Sequence, residues 1–98
     1  MINFKNKKIL ITGATGGIGK ALVKKFVSLE GNVLATGTNS QKLDTLKKEF
    51  PNISVLKFDI SNHKKIEEFI ENVTSQLVGL DVVINNAGIT MDNLSLRM

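Results

Sequence analysis

The segment Thr12-Gly13-Ala14-Thr15-Gly16-Gly17-Ile18-Gly19 constrains this chain more than any other. It places four glycines in seven positions between an apolar run, Lys8-Ile9-Leu10-Ile11, and a stretch with helical spacing. An ordered glycine loses more backbone entropy than any other residue, so a cluster of them points to a place where the main chain must bend sharply or approach something closely. A glycine turn leading from a strand into a helix does both. It lets the backbone pass close to a pyrophosphate and aims free N–H groups and the helix dipole at it. In this reading Gly13 permits the tight exit from the strand, Gly17 and Gly19 allow close approach of phosphate and of helix to sheet, and Gly16 adds freedom.

The rest of the chain supplies the context that such a turn needs. Strand-like and helix-like periodicities alternate as β-α-β-α-β-α-β. The first strand is expected at 7–12, followed by a helix carrying Ile18, Ala21, Leu22, Phe26 and Leu29 on one stripe and stopped by Gly31 and Asn32. A short strand at 33–36 leads to a helix that Ser40 caps, with Leu43, Leu46 and Phe50 as its stripe and Pro51 at its end. A third strand is expected at 53–58. Ser61 and Asn62 then cap a helix whose stripe is Ile66, Phe69, Ile70, Val73 and Leu77, closed by Gly79. Residues 80–84 are nearly all apolar, as in a strand covered on both faces. Right-handed crossovers with the phosphate turn after the first strand predict an α/β, doubly wound parallel sheet in the order 3-2-1-4. The fourth strand would expose an apolar edge in that layout, so the sheet reads as incomplete.

With 98 residues the chain allows one domain, and folding would bury about 65% of the unfolded chain's surface. The absence of cysteine excludes disulfides and thiolate-bound metal, and suits a reducing, cytoplasmic setting. No apolar run approaches the roughly 18 residues of a membrane span, and residues 1–6 lack the apolar core of a signal peptide, so no membrane association is expected. The net charge of +4 comes from lysine doublets interleaved with acids, and the chain has no Trp or Tyr for bases to stack on. No nucleic-acid partner and no metal are expected. The single histidine, His63, and the cluster Glu67, Glu68 and Glu71 read as exposed helix residues.

Where an NAD-type site places a carboxylate, about 20 residues beyond the glycines, this chain reads Thr36-Gly37-Thr38-Asn39-Ser40. No acid occurs between Glu30 and Asp44. A carboxylate about 4 Å from a 2′-phosphate would cost on the order of 4 kcal/mol per charge pair at an effective dielectric near 20, so its absence favours NADP(H) over NAD(H). Thr38, Asn39 and Ser40 offer hydrogen bonds there, and Lys42 offers positive charge.

Together with Asn85-Asn86-Ala87-Gly88, the glycine segment resembles the two N-terminal signatures of the short-chain dehydrogenase/reductase family, over essentially the whole chain. The tail from Asn85 to Met98 resembles the ketoacyl-reductase branch of that family. The resemblance implies a Rossmann-type fold in which Gly13, Ala14, Thr15, Gly16 and Ile18, with Gly17 and Gly19, make up the pyrophosphate turn, and Thr38 approaches the 2′-phosphate. Asp59 and Ile60 would flank the adenine, and Asn86, Ala87 and Gly88 would contact the ribose and the middle of the cofactor. Asn85 would tie the fourth strand to its neighbours. Many NADP-preferring members carry a basic residue where this chain has Gly16.

The same resemblance implies NADPH-dependent reduction of a 3-oxoacyl thioester on an acyl carrier protein in fatty acid biosynthesis, by a homo-oligomer (a tetramer) in a full-length parent. The family's proton-donating Tyr in a Tyr-x-x-x-Lys arrangement has no counterpart, because the sequence holds no Tyr. Residues 1–98 are therefore expected to be the N-terminal, cofactor-binding part of a single domain, with no catalytic residue of their own and no activity alone. The other reading is a non-catalytic nucleotide-binding module that pairs its open strand edge with a partner protein.

Overall fold

The computed structural model describes residues 3–59 and 61–86. The order is β1 (Lys8–Ile11), α1 (Gly17–Ser28), β2 (Asn32–Gly37), α2 (Ser40–Glu49), β3 (Ser54–Lys57), a short 3-10 turn (His63–Lys65), α3 (Ile66–Leu77) and β4 (Val82–Ile84). The strands form one parallel sheet in the order β3-β2-β1-β4, as the crossover argument predicts.

Register and the two-residue side-chain period sort the core into two layers. Leu10 stands opposite Leu34 of β2 and Val83 of β4, and all three turn toward Phe69, Ile70, Val73 and Leu77 of α3. The intervening residues Ile9, Ile11, Val33 and Ala35 face the other way, onto Val23 and Phe26 of α1 and Leu46 of α2. β1 is buried on both faces, which is why it reads as an unbroken apolar run. Among the described residues β4 pairs only with β1.

Local details differ from the periodicity reading. The third strand is shorter than expected: Ile53 is buried in the α1/α2 layer just before it, and Phe58, whose amide still donates to the Gly37 carbonyl at 3.0 Å, stacks on Phe69 with ring centroids 4.1 Å apart. Asn39, not Ser40, caps α2: its side chain accepts from the Lys42 amide at 3.0 Å. Ser61 and Asn62 do not cap α3; Asn62 precedes the 3-10 turn without a side-chain cap, and the Ser61 hydroxyl is turned back to Asp59 at 2.6 Å.

The helix stops also use other residues than the glycines. α1 ends with Glu30 in the left-handed region at φ 63°, while the Gly31 amide reaches back to the Phe26 carbonyl at 2.9 Å. A Cβ on Gly31 would lie 2.7 Å from Ile9 Cδ1, so this glycine serves close packing against β1. α3 ends in the same way, with Val78 at φ 58° and the Gly79 amide bonded to the Thr74 carbonyl at 2.8 Å.

Candidate functional site

All four strands end on one side of the sheet, and the segments that follow them meet around a cavity of about 540 Å³. Thr12 leaves β1 with its side chain fully buried. Its hydroxyl donates to Asn85 Oδ1 at 3.2 Å and accepts from the Asn86 amide at 3.0 Å, so a buried polar group is satisfied from both directions. The Asn86 side-chain amide donates to the Gly13 carbonyl at 3.1 Å. The end of β4 therefore grips the first two residues of the glycine turn.

Two glycines in this turn are required by geometry. Gly13 lies at φ 60°, a conformation that side chains with a Cβ seldom adopt. A Cβ on Gly19 would sit 2.1 Å from the Gly13 carbonyl oxygen, so its absence lets α1 start directly against the turn. Gly17 is different: apart from its chain neighbours and the backbone of its own helix, no atom lies within 4 Å of where its Cβ would be. The space beside it is open. The first intrahelical bond of α1 runs from the Lys20 amide to the Gly16 carbonyl at 2.8 Å, which leaves the amides of Gly17, Ile18 and Gly19 without intrahelical acceptors.

Of the residues singled out in the sequence, Gly13, Thr15, Gly16, Gly17, Ile18, Thr38, Asp59 and Asn86 line this cavity. Ala14 does not. It is fully buried, its amide held by the Thr36 carbonyl at 3.1 Å, and it lies among the apolar residues under the turn. Gly19 likewise packs beneath the cavity and does not line it. Ile60, Ala87 and Gly88 lie outside the described residues. Thr12, Thr36, Gly37 and Phe58 also line it; the first three fall inside the segments that the sequence singles out, and Phe58 was missed. All four stand at or just beyond the ends of β1, β2 and β3, so the rule that ligands sit beyond carboxyl ends of parallel strands could have found Phe58.

The lining carries little formal charge. Its one acid among the described residues is Asp59, whose carboxyl is held below the ordinary carboxylate value by the Ser61 hydroxyl first and the Ser61 amide second, which donate to Oδ1 at 2.6 and 3.0 Å. Among the described residues no lysine or arginine lines the cavity, and the N-terminal amides of α1 bring positive character to it. No acid occupies the first turn of α1. Among the described residues there is no cluster of His, Cys, Asp or Glu suited to a metal ion, and no helix is long and apolar enough to cross a membrane.

A parallel sheet in this order, with a glycine turn after its first strand clamped by the end of its fourth, defines a Rossmann-type α/β protein. Comparison with known proteins gives the family. The family profile described as short chain dehydrogenase matches residues 7–98. The chain is 38% identical to the 3-oxoacyl-[acyl-carrier-protein] reductase FabG of Rickettsia typhi, over 100% of this chain and 39% of that protein. It is 32% identical to the NADP-dependent 3-hydroxy acid dehydrogenase YdfG of Escherichia coli, over 85% of this chain and 34% of that protein. A crystal structure of a short-chain dehydrogenase/reductase from Brucella melitensis superposes with a TM-score of 0.79 at 28% identity, covering 92% of this chain and 39% of that one. This chain belongs to the short-chain dehydrogenase family. It spans about two-fifths of the length of the curated reductases it matches.

Proposed function

We propose that this chain forms the cofactor-holding part of an NADPH-dependent oxidoreductase that reduces 3-oxoacyl thioesters on an acyl carrier protein to the 3-hydroxyacyl form. The observation that carries the reading is the convergence of the glycine turn, the start of α1 and Asn86 on one cavity of about 540 Å³. The residues present fit a dinucleotide. Gly13 in its left-handed conformation and the open space beside Gly17 admit a pyrophosphate against the turn, and the amides opening α1 offer it donors. Gly37 and Thr38 bring no negative charge to the adenosine ribose, which suits a 2′-phosphate. Asp59 with Ile60 would bound the adenine, and Asn86, Ala87 and Gly88 the ribose and the middle of the cofactor.

When bound, the reduced nicotinamide supplies a hydride to the substrate carbonyl. The chain's own residues hold and orient the dinucleotide: Thr12 and Asn86 fix the turn, and the apolar layers beneath keep it rigid. Proton donation belongs to residues this sequence does not contain, since it has no Tyr. The acyl-carrier-protein substrate is supported by the likeness to proteins named 3-oxoacyl-[acyl-carrier-protein] reductase; homo-oligomeric assembly and a cytoplasmic setting belong to the same proposal. Calorimetric titration of the 98-residue chain with NADPH and NADH tests the cofactor reading, and binding of neither would refute it. The same chain is expected to give no turnover with NADPH and an acetoacetyl thioester.

A further inference from the structure

A further cavity, of about 350 Å³, opens between the edge strand β3 and α3, and it shares Phe58 and Asp59 with the larger one. These two residues form the partition between the cavities. Phe58 is half-buried, and its amide is tied to the Gly37 carbonyl of β2 at 3.0 Å, so its backbone is fixed at the end of the sheet. The residue borders open space on two sides.

What holds its ring is Phe69. This residue of α3 is 3% exposed, lies in the same apolar layer as Leu10, Leu34 and Val73, and meets the Phe58 ring nearly face to face, with 4.1 Å between centroids and 8° between planes. Phe69 lines the smaller cavity and not the larger one. Its contact with the wall of the larger cavity is Phe58. Asp59, next in the chain, is braced separately: the Ser61 amide and hydroxyl donate to its Oδ1, and the Asn62 amide donates to its carbonyl at 2.9 Å. The corner at Phe58 and Asp59 therefore has two supports of different origin, a local turn and a ring from α3.

We propose that Phe69 is a positioning residue for the nucleotide cavity, holding by its stack on Phe58 the wall that Phe58 and Asp59 present to the base end of a bound dinucleotide. The inference rests on the cofactor reading above and gives α3 a part in it. Without the Phe69 ring, Phe58 is free to turn into either cavity, so only a fraction of molecules keep the wall in place and the apparent affinity falls by that fraction. Loss of one ring stack is enough to change such a population about fivefold.

Calorimetry with NADPH on the 98-residue chain and its variants tests this, with thermal unfolding followed by circular dichroism as a separate readout. Phe69→Leu should weaken NADPH binding about fivefold, whereas Phe69→Tyr, which keeps the ring and can place its hydroxyl in the smaller cavity, should bind within about twofold of the parent. Phe58→Leu should weaken binding at least as much as Phe69→Leu. The double variant Phe58→Leu/Phe69→Leu should bind no more weakly than Phe58→Leu alone, because Phe69 acts through the ring already removed. Leu77→Ala, about two turns further along α3, should lower the melting temperature and leave the affinity unchanged. If Phe69→Leu does not fold, Phe69→Met takes its place, since methionine is flexible enough to fill the space without a ring. Additive losses in the double variant, unchanged affinity in Phe69→Leu, an equal loss in Phe69→Tyr, or a loss in Leu77→Ala matching that in Phe69→Leu would overturn the inference and leave the cofactor reading standing. A parent chain that binds neither NADPH nor NADH would sink both.

Discussion

The hydroxyl of Thr12 accepts a hydrogen bond from the backbone amide of Asn86 at 3.0 Å, joining the end of the first strand to the end of the fourth across 74 residues of sequence. This contact, with the Asn86 side chain on the Gly13 carbonyl, sets the shape of the glycine turn from outside the turn itself.

Replacing Thr12 by Val keeps the volume and removes the hydroxyl that the half-buried Asn86 amide donates to. Stability measured by urea unfolding should fall by about 1–3 kcal/mol, the cost of leaving that amide unpaired, and nucleotide affinity should fall with it. Thr12→Ser, which keeps the hydroxyl, should restore most of both.

Gly19 and Gly17 should separate packing from binding. Gly19→Ala drives a methyl group to 2.1 Å from the Gly13 carbonyl oxygen, so the variant should unfold at markedly lower temperature. Gly17→Ala meets no atom beyond its chain neighbours and its own helix and should stabilise the start of α1 by up to about 1 kcal/mol, yet lose nucleotide binding because the added methyl group stands in the open space beside the turn. Normal binding by a stable Gly17→Ala variant would remove the pyrophosphate from this position.

Val78 is a β-branched residue at φ 58°, and 83% of its surface is exposed, so the strain has no packing reward. Val78→Gly should stabilise the chain by about 1 kcal/mol by relieving left-handed strain at the helix end. For a domain of this size that corresponds to a rise of roughly 4–8 °C in melting temperature.

The Asp59 carboxyl should titrate below its ordinary value of 3.8, because the Ser61 hydroxyl and then the Ser61 amide stabilise its charged form. A carboxyl whose folded-state pKa is depressed contributes stability that is present above the unfolded value and is lost as pH falls through the folded value. The contribution should therefore vanish only in acid, below the ordinary carboxylate range. Carbon-detected NMR titration of Asp59 checks the direction, and Ser61→Ala should move the midpoint back up.

The periodicities of the chain were enough to predict the element order, the parallel sheet and the 3-2-1-4 layout. Each strand and helix announces itself through residues close in sequence, and crossover handedness leaves few ways to connect them. Much of the cavity was legible as well, because parallel strands present their carboxyl ends together and Gly13, Thr15, Gly16, Gly17, Thr38, Asp59 and Asn86 all lie there. What local sequence could not decide is which glycine bends and which one packs. Gly31 and Gly79 follow left-handed Glu30 and Val78, and Gly31 is needed because Ile9 of the neighbouring strand fills the space a side chain would take. Burial of Ala14 under the turn, the Phe58 stack on Phe69 and the Lys20–Glu49 pair between two helices depend in the same way on contacts between segments distant in sequence. Local pattern determined the elements and their order; only tertiary packing decided which of their side chains face ligand, core or one another, because steric exclusion and hydrogen-bond partners are set by neighbours that the local sequence does not contain.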